Sequence, residues 1–103
     1  MVITKEVKEL IAQASTVSIV TASNKGEPHL IIVGKVAEVR DDDTLVFGIF
    51  KMQVTQQNIR DNGNMQVAIA TQDEGPKGYR LSGHASINGE QVLFKAEKAE
   101  LLL

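Results

Sequence analysis

Alternation of apolar and polar residues from Tyr79 to Asn88 limits the possible folds more than any other feature of the chain. Tyr79, Leu81, Gly83, Ala85 and Ile87 share one parity, and Arg80, Ser82, His84, Ser86 and Asn88 share the other. An extended strand therefore carries an apolar row on one face and a polar row on the opposite face. That pattern fits an antiparallel sheet with one side against a core and the other in water. Met65 to Thr71 alternates in the same way, and Thr16 to Thr21 is rich in β-branched residues.

The remaining segments complete a β-rich order. Thr4 can cap a helix whose apolar face is Val7, Leu10, Ile11 and Ala14. Ser23 to Pro28 supplies turn chemistry, and a long run from His29 to about Val39 is interrupted at Gly34, which reads as a bulge or a close backbone approach. Asp41-Asp42-Asp43-Thr44 reads as a solvated hairpin turn into Leu45-Val46-Phe47-Gly48-Ile49-Phe50, a strand apolar on both faces. A short helix capped by Thr55 runs to Asn62 and stops at Gly63. Gln72 to Gly78 is a loop, and Asn88-Gly89 closes the strand that begins at Tyr79. From Glu90 to about Leu102, the spacing of Val92, Leu93, Ala96, Ala99 and Leu103 predicts a closing helix.

No strand-helix-strand alternation demands a parallel sheet. The expected fold is mainly β: a small antiparallel β-barrel of five strands, with N-terminal, middle and C-terminal helices, which closes its sheet edges. Its 103 residues fit one domain spanning 1–103.

Charge and composition exclude several functions. The formal net charge of −2 provides no broad positive field for a nucleic-acid backbone or an anionic membrane. A nucleic-acid-binding small barrel would also lack stacking groups, with one Tyr and three Phe. The absence of cysteine removes disulfides, thiolate nucleophiles and sulfur-based zinc sites, and suits a reducing cytoplasm. The first residues lack a signal-peptide pattern, and Leu30-Ile31-Ile32-Val33 is too short to span a membrane. His29 and His84 have no ligand cluster around them, and the Asp41–Asp43 run lacks EF-hand spacing, so no metal site is expected. Nucleophile-elbow, Walker and dinucleotide fingerprints are all missing.

A barrel of this size fills its interior with side chains, so a large ligand must lie in an outer groove. Burying such a ligand calls for a wall from a second subunit, and a cofactor-binding role therefore predicts a homodimer. Phe50 to Asn58 is the candidate segment: it joins a buried strand to a helix start, and places the Lys51 ammonium and the Thr55 hydroxyl near free backbone N–H groups. A phosphate suits that place. The bland alternative is that Thr55 only caps the helix and Lys51 is solvated.

The order of these motifs resembles the FMN-binding split-barrel family, and most closely its small FMN-binding and pyridoxamine 5′-phosphate oxidase-related members. The likeness runs through Val17-Ser18-Ile19-Val20-Thr21-Ala22, Gly26-Glu27-Pro28-His29, the long hairpin, Thr55-Gln56-Gln57-Asn58-Ile59 and Met65-Gln66-Val67-Ala68-Ile69. The resemblance implies a homodimer with two FMN molecules at the subunit interface. Residue by residue it points to Ile32, Val33, Gly34 and Lys35 on the long strand, and to Phe47, Gly48, Ile49 and Phe50 beside the flavin ring. For the phosphate end it points to Lys51, Met52, Gln53, Val54 and Thr55.

One departure stands out. The residue before Thr55 is often basic in this family, whereas this chain has Val54. Lys51 or Lys35 then takes the cation's place, or FMN binding is weak, or flavin has been lost. Relatives also continue through a further strand, of which Leu101-Leu102-Leu103 reads as a remnant. The implied function is an FMN-dependent oxidoreductase or electron carrier, with no catalytic acid or base identifiable. The alternative is a flavin-free split barrel serving as a binding or regulatory module.

Overall fold

The computed structural model describes residues 1–72 and 75–102. Its first element is the helix α1, Lys5–Gln13. Thr4 Oγ1 caps it by accepting from the Val7 amide at 3.3 Å, and Val7, Leu10 and Ile11 are its buried face. Four strands follow: β1 Val17–Ala22, β2 Pro28–Val33, β3 Glu38–Val39 and β4 Thr44–Gly48. The helix α2, Gln53–Asn62, leads to β5 Asn64–Thr71, β6 Lys77–Asn88 and β7 Gln91–Leu101.

All seven strands among the described residues join one antiparallel sheet in the order β2-β1-β5-β6-β7-β4-β3. The core is formed by the inward parity of each strand: Val17 and Ile19 of β1, Val67 and Ile69 of β5, Leu81 of β6, and Val92 and Phe94 of β7. β4 is buried at four successive positions, Thr44 to Phe47, as its continuous apolar run implies.

The expected closing helix is instead β7. Val92, Phe94 and Ala96 are buried at a period of two, and the strand pairs with β6 on one side and β4 on the other. Pairing on both edges satisfies the backbone at every turn of the ladder, which outweighs the helical propensity of its Ala, Glu and Lys residues. Gly89, with φ 62°, takes the first position of the two-residue loop between Asn88 and Gln91, where a tight hairpin requires a left-handed residue.

The run from His29 to Val39 is likewise two strands, which brings the count to seven. β2 pairs only with β1, and β3 only with β4, so these two strands are opposite edges of the sheet. The expected barrel closure is therefore absent from the hydrogen-bond ladder. Only Gly34 to Ala37 separate β2 from β3, a stretch that can span at most about 18 Å. The sheet must curl until its two edges approach, joined by the chain and not by a ladder. Gly34 marks this corner. It lies beyond the end of β2 and so is not a bulge, and a Cβ there would meet nothing within 4 Å, so it is not a close approach either. The sheet's irregularity falls between Ser82 and Gly83.

Two further expectations change. α2 begins at Gln53 with Met52 as its N-cap, so Thr55 lies inside the first turn and does not cap it, while Gly63 ends the helix with φ 75° as expected. Asp43 is not a solvated turn residue: its carboxylate accepts the Val2 and Ile3 amides, each at 3.0 Å, and ties the start of the chain to the β3–β4 turn. Within the expected Gln72–Gly78 loop, Asp73 and Glu74 lie outside the described residues, as does Leu103 of the expected tail. No helix among the described residues is long and apolar enough to cross a membrane.

Candidate functional site

The corner between the two sheet edges opens into a cleft of about 170 Å³. Ile32 and Val33 come to it from the end of β2, Gly34 and Lys35 from the corner, Phe47 and Gly48 from β4, and Phe50 and Met52 from the segment leading into α2. Residues far apart in sequence meet here because β2 and β4 belong to opposite sides of the split. Apart from Lys35, the side chains that line it are apolar, and the two glycines leave polar backbone open to it. Ile32 and Phe50 are 68% and 75% exposed, an unusual state for large hydrophobic side chains, and Leu30, on the same outward parity of β2 as Ile32, is also exposed.

The other residues expected to bind cofactor are placed differently. Ile49 packs against the core, and its amide donates to the Glu90 carbonyl at 3.0 Å. Lys51 has φ 53° and holds its ammonium 5.4 Å from the centroid of the Phe50 ring, without lining the cleft. Gln53 and Val54 are exposed in the first turn of α2, Val54 at 50%. Thr55 is 1% exposed.

The start of α2 has spare hydrogen-bonding capacity. The Gln56 amide donates to the Met52 carbonyl at 2.7 Å, while the amides of Gln53, Val54 and Thr55 precede the first intrahelical bond. Met52 contributes no side-chain cap. The buried Thr55 Oγ1 has no hydrogen-bond partner, and an orphaned buried hydroxyl costs about 1–3 kcal/mol. The backbone amides of this turn can donate to an anion's oxygens, and the unused Thr55 hydroxyl lies buried beside them. Gly34 and Gly48 add bare backbone, since a Cβ on either would point into open space. The cleft thus combines apolar side chains, one lysine and, beside it, a helix start lacking a side-chain cap, a set that can hold a group with an apolar body and an anionic end.

α2 is held firmly behind the cleft. Asn58 Nδ2 donates to the buried Thr21 Oγ1 at 3.0 Å, and Asn62 Nδ2 donates to the Ala22 carbonyl at 2.9 Å. Both bonds lock the helix to β1. In the sequence Asn58 is only one member of the Thr55–Ile59 motif, and local spacing contains no signal of its structural role. His29 lies on β2 opposite Thr21, and the exposed His84 lies on β6 opposite Lys95. Neither lines this cleft.

The fold recurs in several solved structures. A HupZ variant from Group A Streptococcus superimposes with a TM-score of 0.85 at 24% identity, covering 97% of this chain and 99% of that one. An FMN-binding protein from Syntrophomonas wolfei gives 0.73 at 18% identity, with 93% and 88% covered. HutZ, the haem storage protein of Vibrio cholerae, gives 0.64 at 12%, with 98% and 95% covered. No curated protein matches by sequence. The sequence profile described as pyridoxamine 5′-phosphate oxidase matches residues 3–101, nearly the whole chain. With the split sheet and the corner cleft in place, that match makes this chain a member of the pyridoxamine 5′-phosphate oxidase family.

Proposed function

We propose that the chain is an FMN-binding flavoprotein, an oxidoreductase or electron carrier that works in the cytoplasm as a homodimer with flavin at the subunit interface. The observation that carries this reading is the corner cleft, with its apolar walls, its lysine and the uncapped first turn of α2 next to it. Ligand pockets usually measure about 300–1,000 Å³, so a cleft of about 170 Å³ can enclose only part of a flavin. A second subunit set against the exposed Ile32 and Phe50 supplies the missing wall and covers apolar surface at the same time. Bound FMN supplies redox chemistry through its isoalloxazine ring. The chain's own part would be to bind and orient: Phe47 and Ile32 would lie on the ring's side, the open backbone of Gly34 and Gly48 would allow close approach, and the Gln53–Thr55 turn would hold the phosphate.

Reconstitution with FMN tests the reading. The expected outcome is a yellow dimer with flavin bands in its visible spectrum and a melting temperature that rises with FMN concentration by mass action. A purified dimer that leaves FMN free at high micromolar concentration overturns it. A haem absorption band in the protein as isolated would instead draw the chain toward the role named for HutZ.

Val54 supports a second reading, a flavin-free binding or regulatory module, because the first turn of α2 carries no basic side chain. This reading predicts colourless protein and no thermal protection by FMN.

A further inference from the structure

Two asparagines of the chain, Asn62 and Asn88, are followed by glycine. Glycine has no side chain to shield its backbone amide, so the nitrogen after such an asparagine can reach the side-chain carbonyl carbon. The fold treats the two steps in opposite ways. Asn62, at the end of α2, has both polar atoms of its side chain engaged: Nδ2 donates to the Ala22 carbonyl at 2.9 Å and to Asn24 Oδ1 at 3.1 Å, and Oδ1 accepts from the Asn64 amide at 2.9 Å. The Gly63 carbonyl accepts from the Ala85 amide at 2.7 Å, which holds the step from its other side. Asn88 is exposed at the last position of β6, and its side chain makes no hydrogen bond among the described residues. The Gly89 amide, in the exposed two-residue loop, makes none either.

We propose that Asn88 is a site of spontaneous deamidation, that the fold spares Asn62, and that the isoaspartyl product at position 88 loosens the corner cleft. The Gly89 nitrogen gives its proton to hydroxide and attacks Asn88 Cγ. The N–Cγ bond forms, the Cγ–Nδ2 bond breaks, and ammonia leaves with a proton from water, closing a succinimide ring. Water then opens the ring. Opening at Cγ leaves an aspartate, and opening at the main-chain carbonyl carbon leaves an isoaspartate whose backbone runs through Cβ and Cγ. One water is consumed and one ammonia released, with no oxidation or reduction. An aspartate before the glycine keeps the tight turn, whereas an isoaspartate adds a backbone carbon beside it, which the pairing of Asn88 with Gln91 cannot absorb without moving the loop. The Glu90 carbonyl in that loop accepts the Ile49 amide at 3.0 Å, and Ile49 immediately precedes Phe50 of the cleft. The inference is independent of what the cleft binds.

The test ages the intact protein in mildly alkaline buffer, with and without denaturing urea, and follows the tryptic peptides 81–95 and 61–77 by mass spectrometry, with each change located by fragmentation. In the folded protein Asn88 should convert at least about tenfold faster than Asn62, the scale of the hydrogen bonds that Asn62 would have to give up. In urea both should convert, at rates within about twofold, because that protection belongs to the fold. Equal rates in the folded protein, an unchanged Asn88, or an Asn62 that stays intact in urea overturns the assignment. Hydrogen exchange at the Ile49 amide, read by NMR, tests the link to the cleft. It should quicken about fivefold in the chromatographically separated isoaspartyl fraction, as for one net hydrogen bond lost. N88D, and N88S after the same ageing, should keep the wild-type rate, with a melting curve verifying that each is folded. An unchanged rate in the isoaspartyl fraction, or an equal increase in N88D, overturns that link.

Discussion

Gly83 shows how a single position can decide whether two long strands pair. It sits at the β6–β7 irregularity, and a Cβ on it would lie 1.9 Å from the Lys95 carbonyl oxygen. Backbone cannot yield as a flexible side chain can, so Gly83→Ala should destabilise the fold by about 3 kcal/mol or more, read as a shifted midpoint in urea. A G83A midpoint equal to that of the wild type would show that the strands part freely there. Asp43 is a second residue with a long reach. Amides of Val2 and then Ile3 donate to its carboxylate and hold its pKa below the ordinary 3.8. A lowered carboxyl contributes stability that is fully present above the unfolded value and lost as pH falls through the folded one. Asp43→Asn keeps a side chain that tolerates the observed φ of 66° but gives up the charged acceptor. The expected cost is about 1–2 kcal/mol near neutral pH, and it should shrink below the ordinary carboxylate range. Denaturation of both proteins at about pH 7 and about pH 3 checks the sign, and a constant difference between them would refute it.

At the scale of elements, α2 is the part whose placement matters most to the cleft. Its start presents unpaired amides, and its end is set by Gly63, where φ is 75° and a Cβ would lie 3.3 Å from both the Ala85 carbonyl and His84 Nδ1. Gly63→Ala should therefore cost about 1–2 kcal/mol for the left-handed backbone alone. The melting temperature should fall by about 4–8 °C for each kcal/mol. An unchanged melting temperature would mean that the helix can stop elsewhere. The helix is fastened in its middle by Asn58 and at its end by Asn62, both to β1, so a disturbed stop should also loosen the first turn, which is proposed to hold the phosphate. β7 gives a different lesson at this scale. Its Asn88-Gly89 start is a strong hairpin signal, and the buried alternation of Val92, Phe94 and Ala96 agrees with it. Ala, Glu and Lys at intervening positions mimic a helical surface, and the competing spacing of Val92, Leu93, Ala96 and Ala99 obscures the strand period.

For the whole molecule, the consequential fact is that β2 and β3 are sheet edges joined by a four-residue corner. An edge strand with exposed Leu30 and Ile32 is a liability in a lone protomer. In the proposed dimer the same surface is covered. Ile32→Lys places a charge on it, and should convert the dimer to a monomer in size-exclusion chromatography with light scattering while leaving the far-UV circular dichroism spectrum of the protomer unchanged, since the side chain is exposed. An I32K protein that remains dimeric would move the interface to another face.

The sequence alone determined the chemistry of each face. Periodicity separated inward from outward residues in β1, β5 and β6, Thr4 marked the first helix, and Gly63 marked the end of the second. Ordered motifs along the chain pointed to the family and to the segments that form the cleft. Those signals are local: side-chain direction, capping and turn geometry are properties of a few successive residues. Tertiary structure alone decided that the sheet stays open, that the tail is a strand, that Asp43 binds the chain start, and that Lys35, not Lys51, lines the cleft. Each of these depends on partners distant in sequence, β6 and β4 for the tail, Val2 and Ile3 for Asp43, β4 for the corner lysine. No local window of the chain contains those partners, so their outcome appears only once the sheet has curled and brought its edges together.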